Sequence, residues 1–202
     1  QPAIPALGLN KVRVLGAIIA GGQSRRMEGR EKALLTLAGV PLIERVISRI
    51  APQVETVVIN ANGEIRRFDG LHRKVIADTL ALTTPLAGLH AVLQHGQSEG
   101  YDAVLTVPSD SPLLPLNLVS RLAEAGSATG AAIASSGGQQ HHLTGLWSTA
   151  MATKLEELIL RDKLRRMKDL AEVFEIAVAD WPVGPHDPFI NINTPQDLAA
   201  AE

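Results

Sequence analysis

The 202-residue sequence predicts an α/β domain built around a mainly parallel sheet. Apolar runs alternate with amphipathic segments along the chain, which is the pattern of consecutive βαβ units. The run Val12–Ala20 is apolar almost throughout and is followed by Gly21 and Gly22, as expected of a central strand buried on both faces. With 46% hydrophobic residues, a chain of this length can bury a core without disulfides or structural metals.

The first half of the chain has the clearest alternation of strands and helices. Leu42, Val46 and Ile50 recur at helical spacing behind Pro41, a residue suited to the first position of a helix. Pro108 ends a later apolar run, since proline cannot donate to a strand ladder. In chain order we expect a strand over Val12–Ala20, a helix over Leu42–Ile50, strands over Thr56–Ile59 and Lys74–Ile76, a helix over Pro85–Gln94 and a strand over Ala103–Val107.

The second half continues the pattern with shorter runs. Ser135-Ser136-Gly137-Gly138 is predicted as a loop, and Thr194-Pro195-Gln196-Asp197 as the start of a last helix. We expect residues 1–11 to be a disordered or non-native tail and residues 12–202 to form a single domain. The other expected elements are a helix over Leu116–Ala125, strands over Ala131–Ser135 and Leu143–Trp147, helices over Met151–Leu160 and Arg161–Leu170, and a strand over Phe174–Val178.

Charge and composition exclude several functional classes. Nineteen Lys and Arg against 21 Asp and Glu give a net charge of −2, which argues against a nucleic-acid-binding surface. The absence of cysteine excludes disulfides, thiolate metal sites and a cysteine nucleophile. Val14–Ala20 is far shorter than the roughly 20 residues that span a bilayer. We expect a cytoplasmic protein without a membrane or nucleic-acid partner.

The most informative local pattern is Ala20-Gly21-Gly22-Gln23-Ser24-Arg25-Arg26-Met27 with Lys32. Two glycines let a backbone approach a ligand closely, and the cations that follow can offset the charge of a triphosphate. The alternative is a glycine turn followed by a solvated basic loop. Neither a Walker loop nor a dinucleotide fingerprint occurs here, which argues against a nicotinamide-dependent dehydrogenase.

Polar side chains follow three predicted strands. Asp78 and Asp110 lie just beyond strand ends, where ligands bind in open α/β sheets, and Asn60 ends another strand. Carboxylates near a triphosphate suggest Mg²⁺, although each Asp alone is equally suited to capping a turn or helix. His141 and His142 face opposite sides of a strand, which argues for partly exposed, non-catalytic histidines rather than a metal site.

Taken together, these motifs resemble the molybdenum cofactor guanylyltransferases over nearly the whole chain. The opening block marks a wide nucleotidyltransferase superfamily, and the order and spacing of the later motifs narrow it. The matching segments are Ile18–Met27 with Lys32, Gly39–Ile43, Val58–Asn62, Val75–Asp78, Pro85–Leu89, Val107–Pro115, Thr144–Trp147 and Asn191–Leu198.

The resemblance implies a fold, a reaction and a set of site residues. The fold is a Rossmann-like three-layer sandwich of the nucleotide-diphospho-sugar transferase type. The reaction transfers GMP from GTP to the terminal phosphate of molybdopterin, with Mg²⁺ as cofactor. By resemblance, Ile19, Ala20, Gly21 and Gly22 line the guanine and phosphate pocket, Arg26 and Lys32 contact phosphates, Asn60 and Asp78 fix the nucleoside, and Asp110 binds nucleotide and Mg²⁺.

Two alternatives accompany this interpretation. One is a related nucleotidyltransferase that uses CTP or acts on a sugar phosphate. Relatives that transfer CMP usually have Ala-Ala-Gly where this sequence has Ala20-Gly21-Gly22, and a missing methyl leaves room for the exocyclic group of guanine. The other is a catalytically idle relative that binds nucleotide or cofactor and docks onto a partner. Lys32 and Asp110 argue against it, because an idle site is free to lose them. For the enzyme itself, other cofactor-biosynthesis proteins and acceptor molybdoenzymes are further expected partners.

The sequence departs from the usual family pattern at five positions. Glu28 and Thr84 stand where glycine is common, and Glu31 stands where aspartate is common. Ser109 replaces a frequent cysteine, and His142 replaces a proline. These changes leave intact the residues that the resemblance matches to GTP binding. The change at His142 bears most on the second substrate, the pterin.

Overall fold

The computed structural model describes residues 12–20, 36–37, 39–161, 164–192 and 197. Within them, strands and helices alternate as the sequence predicts. In chain order the elements are β1 (Val14–Ile19), β2 (Thr36–Leu37), β3 (Val40–Pro41), α1 (Leu42–Ile50), β4 (Thr56–Asn60), β5 (Lys74–Ile76), α2 (Pro85–Ser98), β6 (Ala103–Pro108), α3 (Leu118–Ala125), β7 (Ala131–Ser136), β8 (Gln139–Ser148), α4 (Ala152–Arg161) and β9 (Ala177–Trp181).

The described strands form a seven-stranded sheet in the order β5-β4-β1-β6-β8-β7-β9. All of them run parallel except β8, which is antiparallel to both of its neighbours, β6 and β7. The short strands β2 and β3 form a separate antiparallel pair. The predicted mainly parallel sheet is therefore confirmed.

Helices cover both faces of this sheet, so the predicted three-layer arrangement is confirmed as well. Helices α1 and α3 contribute Val46, Ile50 and Leu122 to one core, and α2 and α4 contribute Leu89 and Leu155 to the other. The apolar residues of helix α1 recur on one buried face, as their spacing predicts. Pro41 is its N-cap, one position earlier than predicted.

The hairpin between β7 and β8 is tighter than predicted. Ser135 and Ser136 belong to β7, and only Gly137 and Gly138 form the turn, with φ of 54° and 79°. Two consecutive residues at positive φ suit a two-residue hairpin turn, which glycine adopts without steric cost. Strand β8 consequently begins at Gln139, ahead of the predicted Leu143.

The predicted charged helix over Arg161–Leu170 is wrong. Helix α4 ends at Arg161, Arg166 is extended, and a 3-10 helix over Met167–Glu172 follows. Met167 and Leu170 are buried against the α2 and α4 core, so packing overrides the local charge pattern. The predicted strand Phe174–Val178 is displaced to Ala177–Trp181, where it pairs with β7.

Neither the helices nor the ends of the described ranges test every prediction made from the sequence. No described helix is both long and apolar enough to cross a bilayer. Residues 1–11 and most of the segment Thr194-Pro195-Gln196-Asp197 lie outside the described residues. The predicted tail and the predicted start of the last helix therefore stay predictions.

A buried hydrogen bond joins β6 to β8 in the centre of the sheet. The Trp147 indole N–H donates to Thr106 Oγ1 at 2.8 Å, and this hydroxyl donates to the Leu143 carbonyl at 2.9 Å. Thr106 is completely buried and Trp147 is 1% exposed. Because water cannot reach these groups, the hydroxyl is their essential partner.

We expect Thr106→Val to lower the free energy of unfolding by about 1–3 kcal/mol, because it leaves the Trp147 N–H unpaired in the core. Thr106→Ser keeps the hydroxyl and is the matched control. Urea unfolding monitored by tryptophan fluorescence measures the difference. Equal unfolding free energies for the two variants would contradict this role of the hydroxyl.

Candidate functional site

Four residues form one row across the parallel strands, next to their carboxyl ends. Ile19 on β1 is in register with Asn60 on β4 and with Pro108 on β6, and Asn60 is in register with Ile76 on β5. Three strand spacings separate Ile76 from Pro108, about 14 Å. Every segment that leaves this row emerges on the same edge of the sheet.

The predicted carboxylates flank the segment that follows β1. Asp78 lies two residues beyond Ile76, and Asp110 lies two residues beyond Pro108. Ala20 lies between them and donates its backbone N–H to the Asn60 carbonyl at 2.9 Å. Both carboxylates are half-buried. The edge therefore presents one acidic group on each side of the predicted glycine loop.

Asp78 is held by side-chain amides from the last residue of β4 and from the loop that follows this strand. Asn60 Nδ2 donates to Asp78 Oδ1 at 2.8 Å, and Asn62 Nδ2 donates to Asp78 Oδ2 at 2.7 Å. The Asp78 backbone N–H returns a bond to Asn62 Oδ1 at 2.9 Å. Each carboxylate oxygen has one fixed donor, which leaves lone pairs in a set direction.

Asn60 is 1% exposed, and its second amide hydrogen bonds the Ile76 carbonyl at 3.1 Å. Its Oδ1 atom faces Gly88 in the first turns of α2, where an added methyl group would overlap it. The sequence singles out Gly88 only as part of a motif. Glycine is needed at this position because α2 packs closely against β4, and no local sequence pattern reveals this contact.

Asp110 is held through its backbone by a distant part of the chain. The Ile192 N–H donates to the Asp110 carbonyl at 2.9 Å, and Ser111 Oγ donates to Asn191 Oδ1 at 2.6 Å. We name residues 187–192 the return segment, because this stretch follows β9 and comes back to the end of β6. Sequence reasoning matched Asn191 to the family pattern without placing it beside Asp110.

The other end of the return segment contacts β7 and β8. Ser136 Oγ donates to Asp187 Oδ1 and Oδ2, at 2.8 and 2.9 Å, and lies 2.8 Å from His141 Nε2. The Phe189 ring stacks on His141 with centroids 4.7 Å apart. Sequence reasoning missed Ser136, Asp187 and Phe189, because nothing local marks residues that meet across two strands.

Burial lowers the pKa of His141, although the Asp187 carboxylate opposes the shift. Both His141 and His142 are half-buried, in agreement with the predicted partial exposure. Neutral imidazole is therefore the favoured form of His141 near neutral pH.

A buried histidine also supports the segment after Asp78. His90 in α2 is 1% exposed, and its Nδ1 atom lies 3.1 Å from Thr79 Oγ1. Its Nε2 atom lies 3.9 Å from a Glu156 carboxylate oxygen on α4. Burial lowers the pKa of His90, and Glu156 partly opposes the shift.

Only part of the predicted site can be placed. Ile19, Ala20, Asn60, Asp78 and Asp110 converge on one edge of the sheet. Gly21, Gly22, Arg26 and Lys32 lie outside the described residues, as do the departures Glu28 and Glu31.

The donor chemistry of this edge fits a hard divalent cation bound together with phosphates. No three His, Asp or Glu side chains in the described ranges lie close enough to hold a metal ion by themselves. Mg²⁺ does not need such a cage, because it is usually bound by one or two carboxylates, with substrate phosphates and water completing the shell. Asp110 supplies one carboxylate at this edge of the sheet.

Comparison with known proteins identifies the family. The profile of the MobA-like NTP transferase domain matches residues 16–174. Molybdenum cofactor guanylyltransferase from Rhodobacter capsulatus is 44% identical, over 95% of this chain and 96% of that protein. The enzyme of the same name from Rhodopseudomonas palustris (strain BisB5) is 39% identical, over 100% of this chain and 94% of that protein. The chain belongs to the molybdenum cofactor guanylyltransferase family.

The solved structures agree with this molybdenum cofactor guanylyltransferase assignment. Molybdopterin-guanine dinucleotide biosynthesis protein A from Archaeoglobus fulgidus superposes with a TM-score of 0.71, at 26% identity, over 93% of this chain and 96% of that chain. The chain is accordingly a nucleotidyltransferase, as its motifs predict. The resemblance inferred from the sequence is confirmed.

His90 predicts a pH dependence of stability. Because its pKa is lower in the folded protein than the ordinary value of about 6.5, unfolding takes up a proton between these two values. The contribution of His90 is therefore complete above about pH 6.5 and is lost as the pH falls through the folded pKa. We expect His90→Gln to flatten the slope of unfolding free energy against pH.

Glu156→Gln is the companion variant, since it removes the group that raises the His90 pKa. It should steepen the same slope. Denaturant unfolding between pH 7.5 and 5 measures both, and parallel pH profiles in the wild type and His90→Gln would refute the assignment.

Proposed function

We propose that the protein transfers GMP from GTP to the terminal phosphate of molybdopterin and releases pyrophosphate. The observation that carries this proposal is the coincidence of two findings. Relatives named molybdenum cofactor guanylyltransferase match nearly the full length of the chain. The residues through which the family pattern would bind GTP, as far as they are described, lie on one edge of the sheet.

On one side of the edge, Asp78 is proposed to accept hydrogen bonds from the nucleoside. An ionised carboxylate accepts and does not donate, so its partners are the N–H groups of the base or the ribose hydroxyls. Asn60 is proposed to act through Asp78, because both of its amide hydrogens are already used in holding the carboxylate and the Ile76 carbonyl. Ile19 and Ala20 are proposed to line the nucleotide pocket beside Asp78.

On the other side, Asp110 is proposed to face the phosphates and to hold Mg²⁺. When bound, the cation neutralises charge on the phosphate oxygens that carry the developing negative charge. The backbone of Gly21 and Gly22 is proposed to approach the phosphates closely, and Arg26 and Lys32 to offset their charge. These four roles rest on the family pattern in the sequence.

The reaction needs no general base from the protein. A phosphate monoester has a second pKa near 6, so the acceptor is largely dianionic at pH 7. One of its oxygens forms a bond to the α-phosphorus of GTP, and the bond from that phosphorus to the bridging oxygen breaks. Pyrophosphate leaves with the electron pair. The residues of the chain position the two substrates and stabilise the charge.

GTP and molybdopterin are thus the proposed partners. Contact with other cofactor-biosynthesis proteins or acceptor molybdoenzymes stays a prediction from the sequence. The same is true of a cytoplasmic location and of the absence of membrane and nucleic-acid partners.

We expect Asp110→Asn to lower kcat by about 100-fold or more while changing the affinity for GTP much less, because the carboxylate acts mainly on charge that develops during transfer. Pyrophosphate release measures kcat, and calorimetry measures GTP binding. Asp102→Asn is the matched control at the opposite end of β6, where the side chain accepts a hydrogen bond from the Arg13 backbone N–H at 2.8 Å. Full activity of Asp110→Asn at saturating Mg²⁺ would refute the role of Asp110.

We expect Gly88→Ala to weaken GTP binding by about tenfold, equivalent to about 1.4 kcal/mol, because the methyl group displaces Asn60 and with it Asp78. Alanine favours a helix over glycine, so a loss of affinity cannot come from helix propensity.

Gly96→Ala is the matched control in the last turns of α2, where an added methyl group meets Val104 Cγ2 at 2.8 Å, away from the site. Calorimetry with GTP, CTP and ATP measures both variants and the wild type. Preference of the wild type for CTP would move the assignment to a cytidylyltransferase, and equal GTP affinity of the two variants would contradict the role of Gly88.

A further inference from the structure

We propose that Ser136, His141 and Asp187 form a positioning chain that fixes the return segment and, through it, the backbone of Asp110. The inference deepens the proposed function and rests on the role proposed for Asp110. None of the three residues needs to touch a substrate. Their role is to fix the position of the end of β6 at the edge of the sheet.

The direction of the hydrogen bonds follows from counting protons. Ser136 has one hydroxyl hydrogen, and the ionised carboxylate of Asp187 is an acceptor only. The hydroxyl therefore donates to Asp187, at 2.8 and 2.9 Å, and the Ser136 oxygen accepts the Nε2–H of His141 at 2.8 Å. Ser136 is 1% exposed, so loss of its hydroxyl removes the buried group that joins Asp187 to His141.

The return segment crosses over the start of β8, and only a few residues span the distance between the ends of β7 and β6. β8 lies between β6 and β7, so the ends of β6 and β7 are two strand spacings apart, about 10 Å. A turn closed by the Ile190 N–H and the Asp187 carbonyl, at 3.2 Å, shortens the reach of the segment. Only Asn191 lies between Ile190 and Ile192, whose N–H donates to the Asp110 carbonyl. A shift of Asp187 is therefore passed on to the bond at Asp110.

Aromatic packing fixes the middle of the return segment. Phe189 is 3% exposed, stacks on His141 and meets the Trp181 ring edge-on with centroids 5.2 Å apart. The Phe189 N–H also donates to Asp187 Oδ1 at 2.9 Å. Asp187 thus has bonds to β7 and to the segment itself, which makes it the joint between the two.

The neighbouring residue supplies a matched control. Ser135 is also buried, and its hydroxyl donates to Asp180 Oδ1 at 2.6 Å. Ser135→Ala removes a bond from a serine to an aspartate at the end of β7, whereas Ser136→Ala removes the bond to Asp187 together with the contact to His141. Only the second bond holds the return segment, so stability should respond to both variants and the site to one.

The test compares three measurements in these two variants of the full chain. Thermal unfolding reports the structural loss, hydrogen exchange of the Ile192 amide reports the bond to Asp110, and steady-state kinetics with GTP and molybdopterin report kcat. We expect both variants to lose stability, Ser136→Ala more than Ser135→Ala because Ser136 has two side-chain partners. Ser136→Ala should accelerate Ile192 exchange and lower kcat by about 10–100-fold, the range found for supporting groups around a site. Ser135→Ala should leave exchange and kcat near the wild-type values.

Asp187→Asn and Asp187→Ala provide a second pair if Ser136→Ala fails to fold. Asparagine keeps an acceptor oxygen for Ser136 and Phe189, so it should preserve Ile192 exchange and kcat, whereas alanine should not. Equal exchange and equal kcat in Ser135→Ala and Ser136→Ala, or in the two Asp187 variants, would overturn the inference. Asp110→Asn and the wild type are assayed beside them. A wild type without guanylyl transfer contradicts the proposed function, while the exchange measurement still decides the positioning chain.

Discussion

Parallel pairing of β1 with β4 on one side and β6 on the other is the constraint on which the site depends. It fixes Ile19, Asn60 and Pro108 in one row across the sheet, so the segments that follow these strands begin at the same edge. A shift of one residue in either pairing would turn the following side chains to the other face. The buried, continuously apolar β1 therefore determines where polar groups far away in the sequence meet.

The two carboxylates at this edge are held by different means. Asp78 is fixed through its side chain, by amides from the last residue of β4 and from the loop that follows this strand. Asp110 is fixed through its backbone, by a segment that follows the last strand. The hydrogen bonds to the Asp78 side chain fix the direction of its lone pairs. The hydrogen bond to the Asp110 carbonyl instead fixes the position of the backbone. The first arrangement suits recognition of a fixed group, and the second suits alignment of phosphates.

The sequence was a good guide to what depends on local pattern. The buried face of α1 and the bounds of β5 were predicted correctly because periodicity and strand length are local properties. The convergence of Asp78 and Asp110 followed from the rule for parallel strands. The helix predicted over Arg161–Leu170 was wrong because burial of Met167 and Leu170 prevailed over the charge pattern. The pairing of Ser136 with Asp187 was missed because it depends on strand order, which adjacent residues do not encode.

The position of the return segment after the last strand has a consequence for the order in which the protein folds during synthesis. Every strand of the seven-stranded sheet precedes the return segment in the chain. A nascent polypeptide released from the ribosome as far as β9 can therefore complete its sheet before the bond from Ile192 to Asp110 exists. Formation of the sheet does not require the bond between Ile192 and Asp110, which depends on residues that emerge after the last strand.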